Sequence, residues 1–202
     1  MELVLYSVIL TLCLIYGFKA FRLYIGYPYS IYNALYSSFG EYFYRVIIRK
    51  DASKSSALAR AIGYHRIIYT TLRDKENKLK AQFIIIFYSH GIALINFMDG
   101  TGSISGNTKE KRLSFKSGSV KSSLKNPLFE SDIYIKRLKR LYPEIPVKFY
   151  FAVSNTIDYS NLKSDYVICN YTDIVKSLTS DSAYFMNENQ IDQEFKKLHI
   201  SK

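Results

Sequence analysis

Two apolar runs joined by a short turn constrain the fold more than any other part of the chain. The first run extends from Phe83 to Phe87 and the second from Ile92 to Phe97, with Ser89-His90-Gly91 near the turn. Both runs are rich in β-branched and aromatic residues. Such runs predict a hairpin whose two strands are buried on both faces. The rest of the chain must then cover both faces of a sheet with helices.

Hydrophobic periodicity around this hairpin predicts the remaining elements. The expected strands are Tyr64 to Leu72, Leu79 to Phe87, a short edge strand at Arg112 to Phe115, Val147 to Val153 and Asp165 to Cys169. The expected helices are Ser30 to Ile48, Ala57 to Ile62, Pro127 to Leu141, Thr172 to Leu178 and Asn187 to Leu198. The sequence therefore predicts an α/β fold, a mixed β-sheet flanked by helices, as one domain over residues 26–202.

The first 25 residues predict a membrane anchor. Leu3 to Phe18 carries no charge, and the apolar stretch continues to Ile25, which is about the 20 residues that a helix needs to span hydrocarbon. Because Lys19 and Arg22 follow the apolar run, the positive-inside rule predicts a single-pass transmembrane helix with the N-terminus outside and a cytoplasmic domain. A cleaved signal peptide and a buried core helix are the alternatives. The acidic start at Glu2 speaks against the signal peptide.

The charge of the chain predicts a polyanionic partner. The net charge is +11, which favours contact with nucleic acid or with anionic membrane lipid, although it also serves solubility. Cations are dense between Arg45 and Lys80, where ten Lys or Arg stand against three acids. The candidate nucleic-acid-binding or lipid-binding residues from this stretch are Arg45, Arg49, Lys50, Lys54, Arg60 and Arg66. Three scattered histidines and two distant cysteines predict neither a metal cluster nor a disulfide.

The stretch from Gly91 to Gly106 resembles the core motif of the nuclease-related domain (NERD) family, a branch of the PD-(D/E)XK nuclease superfamily. The family pattern is Gly-Ile, apolar residues, Glu-x-Lys and a glycine-bearing turn, and Gly91-Ile92 and the residues up to Gly106 match it without a gap. Asn126-Pro127-Leu128 resembles the start of the long family helix, and Gly40-Glu41 resembles a pair near the start of the domain. The resemblance covers residues 40–178 and implies a PD-(D/E)XK-like mixed sheet.

The resemblance also implies a catalytic set that this chain lacks. The family uses two carboxylates to hold a divalent cation, usually Mg²⁺, and a lysine that stabilises developing negative charge. The matching positions hold Phe83, Asn96 and Met98, so neither acid nor the lysine is present. We therefore expect no catalytic residue in place, no metal and no cofactor. The acids that relocation would recruit are Glu41 and Glu130, with Asp99 and Asp132 as further candidates.

Three functions follow from these observations. The first is a membrane-anchored, catalytically inactive nuclease-like module that binds nucleic acid or an unknown protein partner. The second is an active nuclease that holds Mg²⁺ with relocated acids. The third is a structural subunit of a membrane complex whose basic face lies on anionic lipid.

Overall fold

A computed structural model describes residues 2–73, 79–180 and 183–200. Within them, nine strands form two mixed sheets with helices around them, so the protein is α/β. The helices are α1 (Glu2–Gly26), α2 (Ile31–Leu35), α3 (Phe39–Tyr42), α4 (Ser56–Ile62), α5 (Pro127–Leu141), α6 (Ile174–Leu178) and α7 (Glu188–Ile200). A π-helical stretch, Phe43–Ile48, follows α3, and 3₁₀ turns lie at Tyr27–Tyr29 and Tyr171–Asp173.

The larger sheet, called the main sheet below, has the strand order β1-β2-β3-β7-β9. Its strands are β1 (His65–Arg73), β2 (Leu79–Tyr88), β3 (Gly91–Met98), β7 (Val147–Val153) and β9 (Val167–Asn170). The first three form an antiparallel meander, whereas β7 runs parallel to both β3 and β9.

The second sheet, called the small sheet, has the strand order β6-β5-β4-β8. Its strands are β4 (Gly102–Asn107), β5 (Arg112–Ser117), β6 (Val120–Lys125) and β8 (Ile157–Lys163). The pairs β4–β5 and β5–β6 are antiparallel, and β8 runs parallel to β4.

The main sheet is buried on both faces, which confirms the prediction for the central hairpin. Successive side chains of a strand point to opposite faces. Phe83 and Ile85 of β2 accordingly pack with α5, α7 and the inner side of the small sheet. Ile84 and Ile86 pack on the other face with α2, α4 and α6. The two faces therefore support two separate hydrophobic clusters.

The predicted transmembrane anchor over residues 1–25 is wrong. The chain is helical over α1, but no helix in the described ranges is both long and apolar enough to cross a membrane. Polar side chains recur along α1 at Ser7, Thr11, Lys19 and Arg22, and they interrupt its apolar surface. The single-pass topology, with the N-terminus outside and a cytoplasmic domain, is withdrawn with the anchor.

The predicted helix from Ser30 to Ile48 is three shorter helical segments. Tyr36 and Ser38 have extended backbones, and the Ser38 hydroxyl accepts the Glu41 amide and so begins α3. The predicted edge strand at Arg112 to Phe115 is β5, an interior strand that pairs with both β4 and β6. Three further strands, β4, β6 and β8, lie in segments for which the sequence predicted no strand or helix.

Candidate functional site

The three positions that the family motif assigns to catalysis lie on one face of the main sheet. Phe83 of β2 is paired with Asn96 of β3, and Met98 follows two residues later on β3. All three side chains therefore point toward the face that α5 covers. The Tyr134 ring of α5 stacks on Phe83, with centroids 5.1 Å apart and an angle of 14° between the planes. The place of the first acid is thus filled by an aromatic pair.

This set of side chains does not fit a hard divalent cation, which takes several oxygen ligands and usually a carboxylate. The Asn96 amide nitrogen donates to the Gln82 carbonyl at 2.9 Å, and the Asn96 Oδ1 atom is buried without a hydrogen-bond partner in the described part. Phe83 offers no ligand atom and Met98 only a thioether sulfur. Among the described residues, no group of three His, Cys, Asp or Glu is arranged to hold a metal.

Glu41, the first candidate for a relocated acid, is fully engaged by its neighbours. Its carboxylate accepts hydrogen bonds from the backbone amides of Ser37 (3.1 Å) and Ser56 (2.7 Å) and from both their hydroxyls. Arg45 Nε donates a further bond at 3.1 Å. Burial raises the pKa of this carboxyl, but the hydrogen bonds from Ser56 and Ser37 outweigh that effect and lower the pKa to about 2. We call this arrangement the Glu41 clamp, because it ties α3 to the start of α4.

The other candidate acids do not join Glu41. Asp132 of α5 pairs with Lys136 at 2.6 Å. Asp99 accepts a hydrogen bond from the Tyr171 hydroxyl at 2.8 Å, and Tyr171 packs on the opposite face of the main sheet from α5. Glu130 belongs to α5, but its side chain lies outside the described residues. The described acids are therefore spread over both faces and create no shared site.

Two of the six predicted binding cations already have acidic partners inside the protein. Arg45 belongs to the Glu41 clamp. The Arg66 Nε atom donates to Asp192 at 2.6 Å, and this pair links β1 to α7. An external polyanion would have to compete with these carboxylates, so Arg45 and Arg66 are poor phosphate ligands.

Of the remaining four predicted cations, three contact aromatic rings or the backbone, and Lys50 is marked only by its backbone conformation. Arg49 lies over the Tyr44 ring at 5.4 Å, Lys54 lies over the Tyr64 ring at 5.7 Å, Arg60 Nε donates to the Ser56 carbonyl, and Lys50 has a positive φ of 53°. The six residues thus serve several local contacts and do not form a row.

A row of cations is present on the small sheet, where sequence reasoning did not place one. Leu113 and Phe115 of β5 point into the core, so the residues between and beside them point outward. The cross-strand register then places three outward pairs on β5 and β6. They are Arg112 with Lys125, Ser114 with Ser123, and Lys116 with Lys121. We call these six residues the cationic ladder.

The register of the ladder is fixed by its turn and by a close approach of β4. Ser117 pairs with Val120, so a two-residue loop, Gly118-Ser119, joins β5 and β6, and Gly118 has the positive φ that such loops need. Gly102 of β4 also has a positive φ, and a Cβ atom there would lie 2.1 Å from the Lys116 carbonyl oxygen. Glycine at this position lets β4 and β5 pair closely.

The ladder sets like charges directly opposite each other in two of its three pairs. Opposed like charges on a sheet are unfavourable by about 0.2–1 kcal/mol each. All four cations are exposed, and neither Lys116 nor Lys121 has an acidic partner within the described part of the chain. Residues 109–125 hold six Lys or Arg against Glu110 alone, and this local excess of cations is the sequence signal that could have pointed to this surface.

The outer face of the small sheet continues the ladder with hydroxyl groups. Ser103 and Ser105 of β4 lie opposite Lys116 and Ser114 of β5. A shallow groove of about 460 Å³ runs over this face. Apart from Glu110, which also lines this groove, the polar side chains of the face are cations and hydroxyls. Such a composition matches an anion that carries many oxygens.

No protein-family model, curated protein or solved structure matches this chain. The resemblance to the NERD family therefore rests on the motif residues alone and stays a prediction.

Proposed function

We propose that this protein binds nucleic acid through the cationic ladder and does not cleave it. The ladder carries the proposal, because its two pairs of opposed like charges attract an anion. At Lys116 and Lys121, an anion between the two ammonium groups would also offset a repulsion that costs stability. The pairs are four residues apart along β5, roughly 13 Å, so they would contact phosphates at two separate points.

The composition of the face favours contact with the sugar–phosphate backbone over contact with bases. Serine hydroxyls and cations are the usual phosphate ligands, and they position a nucleic acid without reading its sequence. Binding should therefore be insensitive to sequence and fall steeply with salt. The absence of cleavage is proposed because Phe83, Asn96 and Met98 supply no metal ligand set.

The test compares two double variants of the full chain that each remove two positive charges. Lys116→Ser with Lys121→Ser removes one rung of the ladder, and Lys54→Ser with Arg60→Ser removes two cations of the other basic stretch. Binding to a labelled DNA duplex is measured by fluorescence anisotropy across a salt series. We expect the ladder variant to lower the slope of log affinity against log salt by about 1.8, since each phosphate contact contributes about 0.9. We expect the control variant to leave the slope unchanged.

Three results would contradict the proposal. Equal weakening by both variants would mean that net charge alone attracts the duplex. Binding to anionic vesicles but not to duplex, single-stranded DNA or RNA would assign the charge to lipid. Cleavage of any of these nucleic acids in Mg²⁺ or Mn²⁺, lost on Glu41→Ala, would show an active nuclease with relocated acids.

A further inference from the structure

A second candidate site is a cleft of about 600 Å³ at the margin of the main sheet, which we call the margin cleft. Its walls come from both faces of the sheet, since Phe83 and Tyr134 belong to the α5 side and Tyr32, Tyr69 and Phe97 to the other. This volume lies in the range of small-molecule sites, about 300–1,000 Å³.

Aromatic rings form half of the described lining of the margin cleft. On one side Tyr134 stacks nearly parallel on Phe83, which is 1% exposed, so the half-buried Tyr134 ring is the surface available there. On the other side the ring centroids of Tyr32 and Tyr69 lie 5.8 Å apart, and Phe97 is half-buried beside them. Planar ligand rings stack favourably on aromatic side chains of this kind. The cleft therefore suits a flat aromatic ligand.

Arg137 gives the margin cleft a positive charge that nothing inside it neutralises. It is the only charged residue among the described lining residues, and within the described part it has no hydrogen bond or ion pair. Arg137 follows Tyr134 by one helical turn on α5, so both side chains lie on the same side of that helix. A guanidinium is the side chain best shaped to hold a phosphate through two parallel hydrogen bonds.

Uncharged polar groups complete the margin cleft. Thr70 and Thr71 of β1 add hydroxyls, and Gln82 of β2 adds an amide. Burial raises the pKa of the Tyr32 hydroxyl to about 12, so this group stays a hydrogen-bond donor at neutral pH. The cleft thus offers a stacking surface, hydrogen-bond donors and one free cation.

We infer that the margin cleft binds a nucleotide, with the planar base against the aromatic rings and the phosphate on Arg137. The ligand is either a free mononucleotide or the terminal nucleotide of a strand, which share this chemistry. The site is separate from the cationic ladder: the ladder lies on the outer side of the small sheet, whereas α5 carries Arg137 on the main sheet. The two sites can therefore be disabled one at a time.

The experiment is isothermal titration of the full chain with AMP, and with adenosine and ribose 5-phosphate as ligands that each lack one half of the chemistry. We expect saturable binding of AMP and at least about tenfold weaker binding of the other two, because each loses one set of contacts. Arg137→Gln should weaken AMP about tenfold and leave adenosine unchanged. Arg140→Gln, an exposed cation on the same helix outside the cleft, should leave AMP unchanged.

Tyr134→Leu tests the stacking wall and should weaken both AMP and adenosine, with circular dichroism confirming that the variant is folded. Competition by a 5′-phosphorylated single-stranded oligonucleotide then separates the two sources: displacement of AMP indicates a strand end, and no displacement indicates a free nucleotide. The inference is overturned if AMP does not bind, if adenosine binds as well as AMP, or if Arg137→Gln and Arg140→Gln weaken AMP equally. None of these outcomes bears on the ladder, which is read out by duplex binding.

Discussion

The main sheet and the small sheet differ in where their polar side chains lie and in what those side chains bind. In and around the main sheet, polar side chains are few and enclosed: Asn96 is bonded to its neighbouring strand, and Glu41 accepts five hydrogen bonds. On the small sheet, Lys116 faces Lys121 in solvent with no acid between them. Charge that is satisfied within the fold stabilises it, whereas charge that is opposed to like charge is available to a partner.

The largest expected effect comes from the core of the main sheet. Phe83 is 1% exposed, so Phe83→Ala should lower the free energy of unfolding by about 3–5 kcal/mol. The matched truncation on the small sheet is Val120→Ala, which removes a side chain that is 66% exposed and should change stability by less than about 0.5 kcal/mol. Urea unfolding monitored by circular dichroism measures both. Similar losses for the two variants would mean that the sheets do not differ as described.

A carboxylate at the position of the second family acid should be poorly tolerated. Asn96 is 2% exposed, so Asn96→Asp buries an unpaired charge and should cost about 3 kcal/mol at neutral pH. Burial raises the pKa of such an acid, so the cost should be absent below about pH 4, where folded and unfolded chains are both protonated, and should grow as the pH rises. Asn96→Leu is the uncharged control. Recovery of Asn96→Asp on addition of Mg²⁺ would reveal a metal site that the described side chains do not form.

Loss of the Glu41 clamp should have an intermediate effect, and its cost should also grow as the pH rises. Glu41→Gln should cost about 1.5–3 kcal/mol at neutral pH, because it removes charge-assisted hydrogen bonds. The folded pKa of Glu41 lies below its ordinary value of 4.5, so its contribution is full above pH 4.5 and is lost as the pH falls toward about 2. A plot of the free energy of unfolding against pH should therefore be flatter for the variant between these pH values. The same pH dependence of the free energy of unfolding in both proteins would show that Glu41 does not make these bonds.

The smallest expected effect is a gain. Lys121→Glu replaces an opposed like-charge pair with an opposite-charge pair and should stabilise the protein by about 0.2–1 kcal/mol, while it weakens duplex binding. The gain should shrink in high salt, since screening acts on exposed charges. Lys121→Ser, which removes the repulsion without adding attraction, should lie between the two in stability. A loss of stability in Lys121→Glu would show that Lys121 makes a favourable contact in the folded protein.

The main sheet could be predicted from sequence because its central strands are continuous apolar runs. The apolar runs at Phe83 to Phe87, Ile92 to Phe97 and Val147 to Val153 are too hydrophobic to be anything but buried, and all three are central strands. The start of α5 could also be predicted, since Asn-Pro is a typical helix start. The Asn126 side chain accepts a hydrogen bond from the Leu128 amide, and Pro127 occupies the first turn.

The small sheet could not be predicted, because its strands depend on one another. β4 and β6 are rich in Gly, Ser and Lys, residues with low strand propensity, and they become strands only by pairing with β5. The ladder depends in turn on the register that the Gly118 turn imposes. The Glu41 clamp could not be predicted for a similar reason, since its partner Ser56 is distant in sequence. The helical spacing of apolar residues also continues across the break before α3, so the sequence predicted one long helix there.

The parallel pairing of β7 with β3 has a consequence for the order in which the chain folds. The strands β4, β5 and β6 and helix α5 all lie between β3 and β7, so this pairing must close a long loop, which is slow compared with forming the two local meanders. β8 follows β7 directly and completes the small sheet by its own parallel pairing with β4. A single segment, residues 147–163, therefore adds β7 to the main sheet and completes the small sheet with β8. The rate at which the small sheet that carries the ladder is completed is thus tied to the rate at which β7 pairs with β3.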